Sequence, residues 1–222
     1  MQQIDHRVIK LLIGVIAVFM AFVMQSVSGE ILKSISESYH SRGRDWLVGL
    51  LFAVAALFLS FSGENKFERI LTIVASILAA IVAISPCACD RPPGVLSGLH
   101  FPAAAGLFTI LGYFCWRFRR TAKSKITRYP EARNRVRVYT ICLAGMLLCG
   151  LMAVAYVLPG NSLDARFPNY VFWMEGLGLV SFGLSWLAAS RTLPIVTNSR
   201  ERFHIREGRA HDDGGPTTDV PN

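Results

Sequence analysis

The sequence predicts an all-α membrane protein, a bundle of six transmembrane helices with both termini in the cytoplasm. Three observations predict it: the apolar composition, six separate apolar runs, and the placement of the basic residues. Of 222 residues, 52% are hydrophobic and 17% are charged, and the mean hydropathy is +0.41. A soluble domain carries about 25% charged residues. So much apolar side chain needs an apolar solvent, which favours the membrane.

The six apolar runs are each close to the length of a bilayer span. They cover residues 9–27, 46–61, 70–85, 99–116, 138–158 and 170–189. A span needs about 20 residues, with a range near 17–25, so we expect the second and third runs to extend into flanking polar residues. We therefore predict a transmembrane domain over residues 1–190. Residues 191–222 form a basic and then polar cytoplasmic tail, too poor in apolar residues to fold.

The first run has one alternative interpretation as a cleaved signal peptide. Ser26-Val27-Ser28 has the small residues of a cleavage site. The run is longer than a usual signal-peptide core of about 7–15 residues, which favours a retained helix. The other five spans are the same in either case.

Tryptophan positions and small residues add two expectations about packing. The tryptophans lie near run ends, which predicts an aromatic belt at the membrane interfaces. They are Trp46, Trp116, Trp173 and Trp186. Small residues recur at four-residue spacing, which lets helices approach closely in lipid and favours a compact bundle. The stripes are Ala75/Ala79/Ala83, Gly145/Cys149/Ala153, Ser181/Ser185/Ala189 and Gly49/Ala53.

The basic residues set the predicted orientation. Eighteen of the 23 Lys and Arg lie in the N-terminus, the even loops and the tail, and five lie on the other side. The positive-inside rule then puts both termini in the cytoplasm, for a protein of the bacterial inner (plasma) membrane. Nine basic residues fall in residues 117–137, which we interpret as a topology determinant that attracts anionic lipid headgroups. Pro130 and the scarcity of apolar residues there argue against nucleic acid as a partner.

The candidate site lies on the predicted extracytoplasmic side, as a polar vestibule. Its residues are His40, Arg44, Asp45, His100 and Glu175. Glu175 is the most informative because an ionisable group at membrane depth is a functional candidate by default. A structural alternative stays open, in which Glu175 forms a salt bridge with Arg42 or Arg44.

Two chemical hypotheses accompany the vestibule. His40, Asp45, His100 and Glu175 have the residue types of a metal or acid–base site, although their spacing is not a recognised ligand pattern. Cys87 and Cys89 lie in an outer loop, where thiols can pair or exchange, but the usual redox spacing is CxxC. Cys115, Cys142 and Cys149 lie inside apolar runs and are interpreted as small apolar residues.

Several short segments resemble one family. They are Ser34–His40 with Arg44–Gly49, Leu99-His100, and Phe172–Glu175 with Phe182–Leu187. Over roughly residues 10–190 they resemble a family of small, uncharacterised bacterial six-helix membrane proteins that carry a domain of unknown function. The resemblance implies the architecture and no activity.

The functional expectation is an integral inner-membrane protein without catalytic activity or a required cofactor. It would bind a lipid or small amphiphile, or support a partner, through the outward vestibule. One alternative is a membrane-embedded, metal-dependent hydrolase of a lipid-like substrate. A second alternative is an extracytoplasmic thiol-redox protein.

Overall fold

The computed structural model describes residues 6–61, 63, 65–88, 97–126, 132–157, 167 and 169–191. Within them the chain is helical. The long helices are α1 His6–Ser28, α2 Arg44–Ser60, α3 Lys66–Ile84, α4 Ser97–Lys123, α5 Ala132–Val157 and α6 Tyr170–Ala189. A short 3-10 helix, Ser36–His40, lies between α1 and α2. The predicted all-α class is confirmed; the predicted tail lies outside the described residues, apart from Arg191.

Five of these helices are long and apolar enough to cross a membrane: α1, α3, α4, α5 and α6. The 17 residues of α2 rise about 26 Å, a little less than the hydrocarbon core of about 30 Å. Large apolar side chains cover the outside of the bundle. Examples are Phe19, Phe22, Leu59, Ile77, Ile141, Leu148 and Leu151. An outer surface of this kind needs lipid around it, which supports an integral membrane protein.

The helices pack in chain order, each against its sequence neighbours, and α6 closes the ring by packing against α1. Neighbouring helices run in opposite directions: His100 near the start of α4 contacts Ser85 after the end of α3, whereas Arg117 near the end of α4 pairs with Glu68 near the start of α3. At the α1–α6 contact the backbones touch: a Cβ on Gly183 would lie 2.7 Å from the carbonyl oxygen of Gly14. Only glycine permits this approach.

The predicted small-residue stripes have different outcomes. Ala75, Ala79 and Ala83 are buried in the bundle, as expected. On α5, a Cβ added to Gly145 would lie 2.9 Å from the Ser181 hydroxyl of α6. Gly49 instead has open space beside it, so its stripe faces outward.

One of the four tryptophans does not lie where the sequence predicted. Trp46, Trp116 and Trp173 are exposed near helix ends, but Trp186 is fully buried. Its ring makes edge or tilted contacts with five phenylalanines: Phe58, Phe61, Phe114, Phe118 and Phe182. Aromatic rings prefer this geometry, so the cluster holds Trp186 inside the bundle instead of at the interface.

The predicted basic loop at 117–137 is mostly helical. The last turns of α4 and the first turns of α5 extend into it and carry seven of its nine basic residues. Arginine and lysine are good helix formers, and basic side chains near the C-terminus of α4 interact favourably with the helix dipole. Both helices therefore continue past the apolar spans, with their charges at one end of the bundle.

Candidate functional site

The chain between α1 and α2, residues 29–43, covers one end of the bundle; we name it the cap segment and that end the loop end. It leaves α1 through Gly29, whose φ of +74° favours glycine. Leu32, Ile35 and Ser38 are buried at three-residue spacing. The two apolar residues pack with Met24 and other core residues of α1, α2 and α6. The cap segment is therefore part of the core.

Glu175 binds the cap segment through its carboxylate. The backbone N–H of Ile35 donates to Glu175 Oε2 at 2.7 Å, and one turn earlier the Phe172 N–H donates to the Lys33 carbonyl at 2.8 Å. The alternative of a salt bridge to Arg42 or Arg44 is wrong, because the partner is a main-chain amide. Glu175 thus joins the first part of α6 to residues 140 positions earlier in the chain.

His100 makes two hydrogen bonds, one of which fixes the position of a ring proton. Nδ1 lies 2.7 Å from the Ser85 carbonyl oxygen, which can only accept, so Nδ1 carries a proton. Nε2 lies 3.0 Å from Ser36 Oγ. In the neutral ring, Ser36 donates to Nε2. The buried imidazole therefore links the end of α3, the start of α4 and the cap segment.

The other three candidate residues lie at the same end with different partners. His40 Nε2 lies 3.0 Å from the Cys87 carbonyl oxygen and donates to it. Arg44 stacks on the Tyr39 ring, 4.7 Å from its centroid, and donates to the Tyr39 hydroxyl. Asp45 is exposed. All five candidates are described, and no hydrogen bond or ion pair joins any two of them.

The predicted metal site has no ligand set. Among the described residues, no group of three or more His, Cys, Asp or Glu side chains lies close enough together to hold a metal ion. The predicted ligands His40, Asp45, His100 and Glu175 are all included. Three of the four bind the cap segment or the neighbouring backbone instead, and we propose no metal-dependent hydrolysis.

The loop that contains Cys87 and Cys89 is described only in part. Cys87 is buried and takes part in a disulfide, whereas Cys115, Cys142 and Cys149 are free thiols inside the bundle. Cys89 lies outside the described residues. Thiol exchange needs an accessible sulfur, so the burial of Cys87 favours a structural bridge. The thiol-redox function stays a prediction that thiol trapping would test.

An open polar depression of about 600 Å³ lies beside the cap segment. It is lined by Ser28, Gly29, Glu30, His40, Ser41 and Arg42. The Glu30 carboxylate and the Arg42 guanidinium make no hydrogen bond or ion pair with any described residue. Of the predicted vestibule residues only His40 lines it. Glu30 was missed and Arg42 was considered only as a partner of Glu175, because apolar patterning says nothing about which loop side chains face a depression.

The opposite end of the bundle, which we name the basic end, contains an ion pair that the sequence interpretation also missed. Arg117 Nε donates to Glu68 Oε1 at 2.6 Å, and the Glu68 side chain is 3% exposed. Asn65 caps α3 by accepting from the Glu68 N–H, and its amide donates to the Glu68 carboxylate. The Asn65–Glu68 spacing of a capping box was the available signal. The pair ties the start of α3 to α4.

No family model, curated protein or solved structure matches the chain. The resemblance to small bacterial six-helix proteins therefore stays a prediction. A function for this chain has to be inferred from the geometry of its described residues alone.

Proposed function

We propose that this protein is a non-enzymatic integral membrane protein that binds the headgroup of a lipid or small amphiphile in the depression at the loop end. One observation carries the proposal. Glu30 and Arg42 present opposite charges on the same depression, and neither has a partner among the described residues. A headgroup with a cationic amine and an anionic phosphate would match both.

The surroundings support binding over catalysis. A catalytic acid or base must reach a reacting group, but His100 is buried with both ring nitrogens hydrogen-bonded. Glu175 is likewise bound to the Ile35 amide. These two residues hold the cap segment, and so position the depression, without themselves facing it. A pre-positioned polar surface lowers the entropy lost on binding.

Short-chain phosphatidylethanolamine added to the purified protein in neutral detergent tests the proposal. Native mass spectrometry should detect the bound lipid, and Glu30→Gln or Arg42→Gln should each weaken binding about tenfold, the loss expected for one charged hydrogen bond. The matched controls are Asp45→Asn and Arg44→Gln, which remove the same charges at the loop end outside the depression. Equal effects of test and control variants, or no lipid bound to the wild type, would refute the proposal.

We also propose that α2 is a sixth span, that the loop end faces the periplasm and that the protein resides in a bacterial inner membrane. The support is the charge distribution. Lys10, Arg117 and Lys125 lie with most of the other described basic residues at the basic end, which the positive-inside rule assigns to the cytoplasm. The 17-residue length of α2 requires a slightly thinned bilayer or an extension into its flanks.

A further inference from the structure

A small cleft opens at the basic end between α1, α4, α5 and α6, with a volume of about 100 Å³. Its charged lining residues are all basic: Lys10, Lys125, Arg135 and Arg191. No acidic residue lines it among the described residues. The nearby Glu68 carboxylate is paired with Arg117 and is not part of the lining. The described lining of the cleft is therefore positively charged.

Neutral hydroxyl donors accompany these charges. Tyr139 is 4% exposed, and its hydroxyl has no hydrogen-bond partner among the described residues although it lines the cleft. A tyrosine hydroxyl that lines a cleft can donate a hydrogen bond to an oxygen of a bound ligand. Thr121 Oγ1 accepts from Arg117 at 2.7 Å, which leaves the Thr121 hydroxyl proton available for a second donation.

Two of the four cations, those of Lys10 and Arg191, have a distinctive local structure. The Lys10 ammonium lies 5.3 Å from the Phe61 ring centroid and 5.2 Å from that of Phe118. Arg191 follows α6 with a φ of +60°, a left-handed conformation that usually favours glycine. An arginine kept in this strained conformation at the mouth of a cleft is consistent with a functional role for its side chain.

We propose that this cleft binds a phosphate group. Phosphate offers several acceptor oxygens to the guanidinium, ammonium and hydroxyl donors, which are the groups that recognise it in proteins. The volume equals that of about three water molecules, which fits a phosphate group but not a whole lipid or nucleotide. This inference concerns the basic end and does not depend on the proposed function at the loop end.

Two sources share this chemistry, a lipid headgroup and free phosphate. The position favours the lipid because the cleft lies at one end of a bundle whose outer surface carries exposed apolar residues such as Leu12 and Ile141. A lipid whose phosphate enters the cleft can lay its acyl chains along such surfaces. Phosphatidic acid, which carries little besides the phosphate on its glycerol, is the most suitable lipid probe.

The experiment compares phosphatidic acid, diacylglycerol and inorganic phosphate as ligands of the full chain in neutral detergent. Native mass spectrometry and thermal unfolding should show that phosphatidic acid binds and stabilises the protein while diacylglycerol does not. Stabilisation by millimolar inorganic phosphate to the same extent would support the site and identify the free anion as sufficient. If neither phosphate compound binds the wild type, the proposal is wrong.

Variants distinguish specific binding in the cleft from general electrostatic attraction of an anionic ligand to the basic end. Arg191→Gln and Tyr139→Phe should each weaken phosphatidic acid binding about tenfold, as expected for one hydrogen bond to a charged group. Arg137→Gln is the matched control, because Arg137 is exposed on the same helix as Tyr139 and does not line the cleft. Tyr139→Phe removes one oxygen and keeps the ring, so it stays informative if an arginine variant fails to fold. Equal weakening by Arg137→Gln would overturn the site.

Discussion

The Ile35 backbone N–H donates a 2.7 Å hydrogen bond to the Glu175 carboxylate, across 140 residues of sequence. Because Ile35 is buried, its backbone N–H loses its hydrogen bond to water on folding and needs another acceptor. The carboxylate supplies that partner. A glutamate at membrane depth, which would suggest a reactive site, therefore has a structural role at the junction of α6 and the cap segment.

The first prediction concerns Glu175. Glu175→Ala should lower the free energy of unfolding by about 1–3 kcal/mol, because the Ile35 amide loses its acceptor. Glu175→Gln should cost less, since its amide oxygen still accepts. Thermal and denaturant unfolding in detergent would measure both, with Asp45→Ala as the exposed control. Full stability of Glu175→Ala would contradict this structural role.

The second prediction concerns His100 and Ser36, which share one hydrogen bond. A double-mutant cycle with His100→Ala and Ser36→Ala should give a coupling energy of about 0.5–1.5 kcal/mol. The same cycle with Ser26→Ala is the control, because the Ser26 hydroxyl binds only the Phe22 carbonyl of its own helix. A coupling energy near zero in both cycles would show that the contact between His100 and the cap segment contributes nothing to stability.

The third prediction concerns the Glu68–Arg117 ion pair. Arg117→Gln should destabilise the protein by about 3 kcal/mol, because it removes the guanidinium that pairs with a buried carboxylate. Replacing both residues by leucine should restore much of that loss. Arg120→Gln is the control on the same helix, since Arg120 is exposed and only stacks on Trp116. A double variant less stable than Arg117→Gln would disprove this account.

The fourth prediction concerns the contact between α1 and α6. Gly183→Ala should destabilise by about 1–3 kcal/mol, because its Cβ would force the two backbones apart. Gly49→Ala is the matched control: it lies in α2 with open space beside it and should be neutral or stabilise by up to about 1 kcal/mol. Unfolding in detergent measures both. Similar effects at the two glycines would mean that the close approach is unimportant.

The fifth prediction concerns topology. Reporters fused at residue 222 and near Lys125 should report the cytoplasm, and reporters near Asp90 and Asn161 should report the periplasm. Testing positions on both predicted sides controls for failed fusions, because each reporter should be active on only one side of the membrane. A periplasmic signal at Lys125 would reverse the orientation and place most of the basic residues on the wrong side.

Hydropathy was sufficient to predict the helices but not all of their ends. The runs at 9–27 and 170–189 match α1 and α6 within a few residues. The largest error was at α4 and α5, which extend well past their apolar runs because charged residues that end a membrane span do not end a helix. The length of an apolar run determines how much of the chain can lie in the membrane. The ends of the helix are determined separately, by the backbone conformation.

The candidate site was harder to predict, for a different reason. His100 and Glu175 were found by their chemistry, but the Ile35 amide that binds Glu175 has no sequence signal, since nearly every residue has such a group. The phosphate cleft combines α1, α4, α5 and the residues at the end of α6. Residues so far apart in sequence come together only in the folded ring of helices, so no local sequence pattern predicts the cleft.

The contact of Gly14 with Gly183 also sets an order of events during synthesis. About 170 residues separate these glycines, which a ribosome translates in roughly 10–30 s. During that interval the first helix is already inserted, with its tightest packing surface facing lipid or another protein. The last helix supplies the missing partner, so closure of the ring must wait until α6 has been made. A chain shortened before α6 would leave that glycine surface open to the membrane.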